Sequence, residues 1–258
     1  MKVQGTVCII TGAGTGAGAA CAIHHARKGG HVVVNYSRSE DEAHKTVKAC
    51  VAAGSEAIAV KGDVANDADC RAIAQAAINK WGRIDALINN AGITKYAGAR
   101  DLEALSAEDF QRLYAVNTIG PYQMIRACVP AMQKQGAGAI VNVSSVAGVM
   151  GVGSSTAYIA SKGALNAMTI ALARALAPAI RVNAICPGMI ETRWHKDRFD
   201  AEGYEKFKAE YEKMVPLAKA ASPDDIADAA LWLIEGAATL TGELMQLDSG
   251  LHLGFGRR

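Results

Sequence analysis

The sequence predicts an α/β protein built on one doubly wound sheet of seven mostly parallel strands, with helices on both faces. Three observations carry this. Short apolar runs alternate with longer helical patterns, which places strands at about 6–11, 31–36, 56–61, 84–89, 138–144, 180–185 and 244–248. The glycine-rich stretch Thr11-Gly12-Ala13-Gly14-Thr15-Gly16-Ala17-Gly18 follows the apolar run Val7-Cys8-Ile9-Ile10 and leads into a helical pattern. The chain of 258 residues is 50% hydrophobic and 20% charged, with no linker, repeat or low-complexity tract to divide it. One domain over residues 1–258 with a large core is therefore expected.

In chain order, the glycine-rich turn comes first. A strand that feeds such a turn into a helix lets backbone amides approach a pyrophosphate at the helix N-terminus. Gly12 permits the tight turn, Gly16 the close approach of a ligand and Gly18 the packing of helix on strand. The second strand runs out into Tyr36-Ser37-Arg38-Ser39. A further strand ends in Asn89-Asn90-Ala91-Gly92. Ser106-Ala107-Glu108-Asp109 has the form of a capping box ahead of a long helix. Asn117 falls inside that helix, where asparagine is a poor helix former.

The next motifs carry the chemistry. Ser145 leaves the end of the fifth strand, 13 residues before Tyr158, with Ser144 as the competing hydroxyl. Lys162 follows Tyr158 by four residues, so one helical turn puts both on one face. A fixed ammonium beside a phenol favours the phenolate and so lowers its pKa. Pro178 ends this helix. Pro187-Gly188-Met189-Ile190-Glu191-Thr192 follows the sixth strand, and Ser222-Pro223-Asp224-Asp225 caps a last helix. Every motif lies just after a strand or on the helix behind one, where such sheets bind ligands.

With these motifs in this order, the chain resembles the short-chain dehydrogenase/reductase family in its form of about 250 residues, from residue 5 to about 253. It is similar to the bacterial 3-oxoacyl-[acyl-carrier-protein] reductases. The resemblance implies a Rossmann fold and an oxidoreductase that transfers hydride between a nicotinamide cofactor and a carbonyl or secondary alcohol. It implies that Tyr158 is the acid/base and that Ser145 polarises the carbonyl. It further implies that Lys162 tunes Tyr158 and holds the nicotinamide ribose, while Asn117 anchors a proton relay. The cofactor set it implies comprises Thr11, Gly12, Gly14, Thr15, Gly16 and Gly18 in the turn, then Ser37, Arg38, Asp63 and Val64 at the adenosine end. Asn90, Ala91, Gly92, Pro187, Gly188, Ile190 and Thr192 complete it, with Tyr158 and Lys162.

NADP(H) is favoured and NAD(H) remains possible. NAD-preferring relatives usually have an acid near position 36, where this chain has Tyr36. Arg38 and Ser37 follow and could hold a 2′-phosphate. The second basic residue common inside the glycine turn is missing, since Thr15 stands there. Two other readings use the same fold: an enoyl reductase, although those relatives space Tyr and Lys more widely, and a nucleotide-sensing module without catalysis.

The net charge of +2, with acids and bases interspersed, gives no footprint for nucleic acid or a membrane surface. The six scattered cysteines read as reduced thiols of a cytoplasmic protein, and the first apolar segment is too short for a signal peptide. The histidines lack metal-ligand spacing, so no metal is expected. A homotetramer is expected, because family members commonly pair the helices near 106–134 and 156–178 and the strand near 244–248. Residues 189–215 read as a substrate lid, with Tyr204, Phe207, Tyr211 and Met214 at helical spacing. That lid holds six Lys/Arg against seven Asp/Glu, a poor landing site for an acidic carrier protein. A free ketone with a small or medium apolar body is therefore the expected substrate. The direction of reaction is not fixed.

Overall fold

The computed structural model describes residues 1–254. The first half runs β1 (Val7–Ile10), α1 (Gly16–Arg27), β2 (His31–Tyr36), α2 (Glu40–Ala52), β3 (Ala57–Lys61), α3 (Asp67–Trp81) and β4 (Ala86–Asn89). The second runs α4 (Ala107–Tyr114), a π turn over Ala115–Ile119, α5 (Gly120–Gln135), β5 (Gly138–Val143), α6 (Ala147–Met150) and α7 (Thr156–Leu176). It continues with β6 (Ile180–Pro187), α8 (Arg193–Lys196), α9 (Ala201–Met214), α10 (Pro223–Glu235) and β7 (Leu244–Leu247).

All seven expected strands form one sheet in the order β3-β2-β1-β4-β5-β6-β7. Each pairing is parallel, so the sheet is wholly rather than mostly parallel. Alternate side chains of each strand face opposite layers. Cys8, Ile10, Val32 and Val34 join a core with α1, α2 and α10. Val7, Ile9, Leu87 and Ile140 join a second core with α3, α5 and α7. Burial on both faces explains why these strands are nearly continuous apolar runs. Each fully buried Ile or Val stabilises the fold by about 1.5–3 kcal/mol.

Strand order reverses between β1 and β4, and the crevice of the fold opens there. The ends of these strands are tied together. Thr11 Oγ1 accepts hydrogen bonds from the Asn90 and Ala91 amides, each at 3.0 Å. The Asn90 side-chain amide returns bonds to the Thr11 and Gly12 carbonyls at 3.0 and 3.1 Å. The helix expected near 106–134 begins at the Ser106–Asp109 capping box but is interrupted by the π turn. Asn117 sits in that turn.

Candidate active site

Tyr158 is fixed by the start of its helix. Ser155 caps α7, and its hydroxyl accepts from the Tyr158 amide at 3.3 Å. Lys162, one turn on, is buried under the end of β5 and donates from Nζ to the Val143 carbonyl at 2.9 Å. Its ammonium lies 5.8 Å from the Tyr158 ring centroid. Burial pushes the Tyr158 phenol up to about 12, against a lowering by the neighbouring Ser145 hydroxyl. Burial also pushes Lys162 down to about 8. The net pKa of Tyr158 is therefore above its ordinary value, not below it as expected. Desolvation dominates the phenol, and the ammonium is directed at a backbone carbonyl.

The two candidate serines differ in their surroundings. Ser144 is buried with its hydroxyl on the Lys162 carbonyl at 3.4 Å, whereas Ser145 lies beside the Tyr158 phenol. Ser145 Oγ also accepts from the Ala147 amide at 3.1 Å, which orients it. Asn117 is fully buried behind the pair. Its amide exchanges two hydrogen bonds with the Ile93 backbone, at 2.9 and 3.0 Å, and donates to Ser161 Oγ at 3.1 Å.

Ser145, Tyr158 and Lys162 open into a cleft of about 1780 Å³ that also takes in the glycine turn. Gly12, Thr15 and Gly16 line it at one side, and Asn90, Ala91 and Gly92 line its floor. Ser37, Arg38, Asp63 and Val64 lie at one end, and Pro187, Gly188, Ile190 and Thr192 at the other. Four expected site residues do not reach this surface: Thr11, Gly14, Gly18 and Asn117 stand behind it. A Cβ on Gly18 would fall 2.5 Å from Asn90 Nδ2, and one on Gly14 would fall 2.8 Å from Ser39 Oγ. These glycines thus let the turn close on its neighbours, rather than making room for a ligand directly.

A family model described as Enoyl-(Acyl carrier protein) reductase matches residues 12–252. A 3-oxoacyl-[acyl-carrier-protein] reductase from Synechocystis sp. is 36% identical over 250 residues, covering 95% of this chain and 96% of its own length. A solved chain from Burkholderia xenovorans, described as a short-chain dehydrogenase/reductase, is 39% identical with a TM-score of 0.90, covering 97% of this chain and 99% of that one. The chain belongs to the short-chain dehydrogenase/reductase family. A 7α-hydroxysteroid dehydrogenase solved with NADH and 7-oxo glycochenodeoxycholic acid matches at 31% identity and a TM-score of 0.89, covering 99% and 96% of the two chains. This short-chain dehydrogenase/reductase is accordingly an oxidoreductase of carbonyl and alcohol groups that works with NAD(P)(H).

The site fits that cofactor on its own geometry. Helix α1 begins at the cleft with no side-chain cap on its N-terminal amides and no acidic residue in its first turn. Such an end has free N–H donors and the positive end of the helix dipole for a pyrophosphate. Gly12 and Gly16 hold φ of +62° and +57°, which only glycine adopts without strain. At the other end, the Gly92 backbone approaches Asn117, Lys162 and Trp194, and a Cβ there would lie 3.8 Å from Lys162 Nζ.

The sequence reading missed four contributors. Asn35, an amide inside the apolar β2, bonds the Val60 and Gly62 carbonyls at 3.2 and 3.0 Å and accepts weakly from the Gly12 amide. An amide within a buried strand was the available signal. Arg112 lines the adenosine end from α4. Trp194 lies with its ring 6.1 Å from that of Tyr158, and Tyr96 lines the cleft beside it. Tyr96 comes from an irregular segment and Trp194 from the four-residue α8, too short to show a periodicity. Of the four lid residues expected, Phe207, Tyr211 and Met214 line the cleft. Tyr204 does not, and packs in a small core with Met189, Tyr211 and Val215.

Proposed function

We propose that this enzyme is an NADP(H)-linked ketone reductase and secondary-alcohol dehydrogenase with Tyr158 as its acid/base. The observation that carries this reading is the grouping of Tyr158, Ser145 and Lys162 in one cleft with the glycine turn. When bound, the reduced nicotinamide supplies hydride. The half-buried phenol of Tyr158, pushed up to about 12 by desolvation, holds its proton at neutral pH and donates it to the carbonyl oxygen. The Ser145 hydroxyl donates to the same oxygen as negative charge develops. The Lys162 ammonium, 5.8 Å from the ring, favours the phenolate that this transfer leaves. Asn117 holds the helix that carries both. The reverse oxidation uses the same groups. Cofactor absorbance followed against a panel of ketones tests this: ketone-dependent oxidation supports it, and binding without turnover favours a nucleotide sensor.

Preference for NADP(H) is supported by Ser37, Arg38 and Arg112 around the adenosine end and by the absence of an acid at position 36, where Tyr36 is buried in the core. A free ketone rather than a carrier-bound thioester is supported by the commitments of two of the three arginines that could receive a carrier, Arg126 and Arg181, while Arg174 has no ion pair among the described residues. Arg126 pairs with Asp67, and Arg181 is held by the Leu233 and Ile234 carbonyls. Neither is free to receive an acidic carrier. The carrier-bound alternative has the Synechocystis relative in its favour. A preference for a carrier-linked 3-oxoacyl group of about a hundredfold in specificity constant would establish it.

A homotetramer is supported by exposed apolar side chains on the helices that would pair: Ile119 and Tyr122 near the start of α5, and Ile170 on α7. Light scattering that returns a monomer at micromolar concentration would rule it out. A cytoplasmic location is supported by six buried, unpaired thiols. Among the described residues, no helix is long and apolar enough to cross a membrane.

A further inference from the structure

Beyond Tyr158 the cleft continues toward the segment between β6 and α9, where Tyr96, His195 and Arg198 meet. Arg198 Cζ lies 4.2 Å from the centroid of the Tyr96 ring. Tyr96 Oη lies 3.5 Å from His195 Nδ1. The cluster touches the candidate catalytic group through one indole. Trp194 neighbours the Tyr96 hydroxyl, and its ring lies 6.1 Å from that of Tyr158.

The cations that line this part of the cleft differ in their commitments. Lys95 is paired with Asp109 at 2.6 Å and Arg193 with Glu42 at 3.5 Å. Among the described residues, no carboxylate lies within ion-pair distance of Arg198, although Asp197 lines the same cleft. The Arg198 guanidinium also faces the Tyr96 hydroxyl; of its N–H donors the others remain, and their planar fork matches a carboxylate with two parallel hydrogen bonds. Burial and the Arg198 charge both hold the His195 pKa below its ordinary value, which keeps the ring neutral, with one N–H to donate.

We propose that Arg198, with Tyr96 and His195, forms a subsite for a carboxylate on the substrate, so that the preferred ketone is an oxo acid. The inference rests on the reading of this cleft as that of a ketone reductase. Trp194 stands between Tyr158 and the subsite. A 2-oxo acid has its carboxylate on the carbonyl carbon and cannot reach both. The carboxylate must stand beyond a carbon spacer, and that spacer gives the apolar indole something to cover.

The test compares 5-oxohexanoate, its methyl ester and 2-oxohexanoate. The acid is expected to exceed the ester about tenfold or more in kcat/KM, as one charged hydrogen-bond pair implies. The difference should lie mainly in KM, because the anion is held alike in ground and transition states. The 2-oxo isomer should gain no such advantage. Arg198→Ala is expected to lower kcat/KM for the acid about tenfold more than for the ester, with Arg198→Lys between the two. Equal values for acid and ester in the wild type, or an equal loss for both in Arg198→Ala, would overturn the proposal. If instead Arg198→Ala weakened only acetoacetyl-coenzyme A, the cation would serve a phosphate and the carboxylate assignment would fail. Calorimetry of acid and ester on the NADP-loaded enzyme separates the two readings. Tighter binding of the acid without turnover of any ketone would leave the subsite standing and sink the reductase.

Discussion

Asn117 Nδ2 donates to Ser161 Oγ at 3.1 Å, joining the π turn between α4 and α5 to the residue before Lys162. The same amide is bonded twice to Ile93, in the loop that leaves β4. One buried side chain therefore sets three segments around the candidate acid/base. The π turn is what aims it there, since a regular helix would rotate the residue away.

Asn117→Leu keeps the volume and removes every one of these bonds. Leaving buried partners unsatisfied costs about 1–3 kcal/mol each, so the denaturant midpoint should fall clearly. Turnover should fall at least about tenfold, because the group that is displaced positions Tyr158 and Lys162. A variant as stable and as active as the wild type would refute the positioning role.

Gly18→Ala should act through a residue 72 positions away in the chain, Asn90. The added Cβ would lie 2.5 Å from Asn90 Nδ2 and 2.6 Å from the Gly12 carbonyl, both part of the bridge between β1 and β4. Overpacking of this kind costs about 1–3 kcal/mol, and here it distorts the turn that would receive the pyrophosphate. NADPH titrated by fluorescence should bind about tenfold or more weakly. Unchanged affinity would show that the turn tolerates the displacement.

Arg38→Ala tests the cofactor preference. A charged hydrogen bond is worth about 1.5–3 kcal/mol, so NADPH should weaken by roughly 10- to 100-fold relative to NADH. Equal effects on both cofactors, or a wild-type preference for NADH, would contradict the proposal.

Stability should fall in mild acid through His25. Burial lowers its pKa from 6.5 to about 4, against a smaller upward pull from the Thr6 backbone. The depressed folded value means that the unfolded chain binds the proton first. The stabilisation is complete above about pH 6.5 and is lost as the pH falls toward 4, an effect on the order of 3 kcal/mol. Denaturation curves between those limits should show a steeper loss in the wild type than in His25→Gln. Identical slopes would assign the acid sensitivity to other groups.

Much of the fold was legible because parallel strands buried on both faces are written as apolar runs, such as Val7–Ile10 and Gly138–Val143. The Tyr158–Lys162 pair was legible because its spacing is that of a helix turn. The π turn was not, since Ala115–Ile119 carries no sign of extra winding except a misplaced asparagine. Nor was the direction of the Tyr158 pKa, which depends on how deeply the phenol is buried and on where the Lys162 ammonium points. Tyr96 reaches the cleft from a loop and Trp194 from the single turn α8, and their position is set by tertiary packing. Thr11 and Gly14 stand behind the cleft surface, as Gly18 does in the packing role expected of it; motif spacing locates a turn without saying which of its residues face outward.

The central claim is that Tyr158 delivers the proton, and Tyr158→Phe measures it most directly. The substitution keeps the ring against Trp194 and removes only the hydroxyl. Single-turnover reduction of a ketone that the wild type accepts should slow by at least about a hundredfold, while NADPH affinity stays within about threefold. Single-turnover rates close to the wild type, with cofactor bound normally, would contradict the assignment.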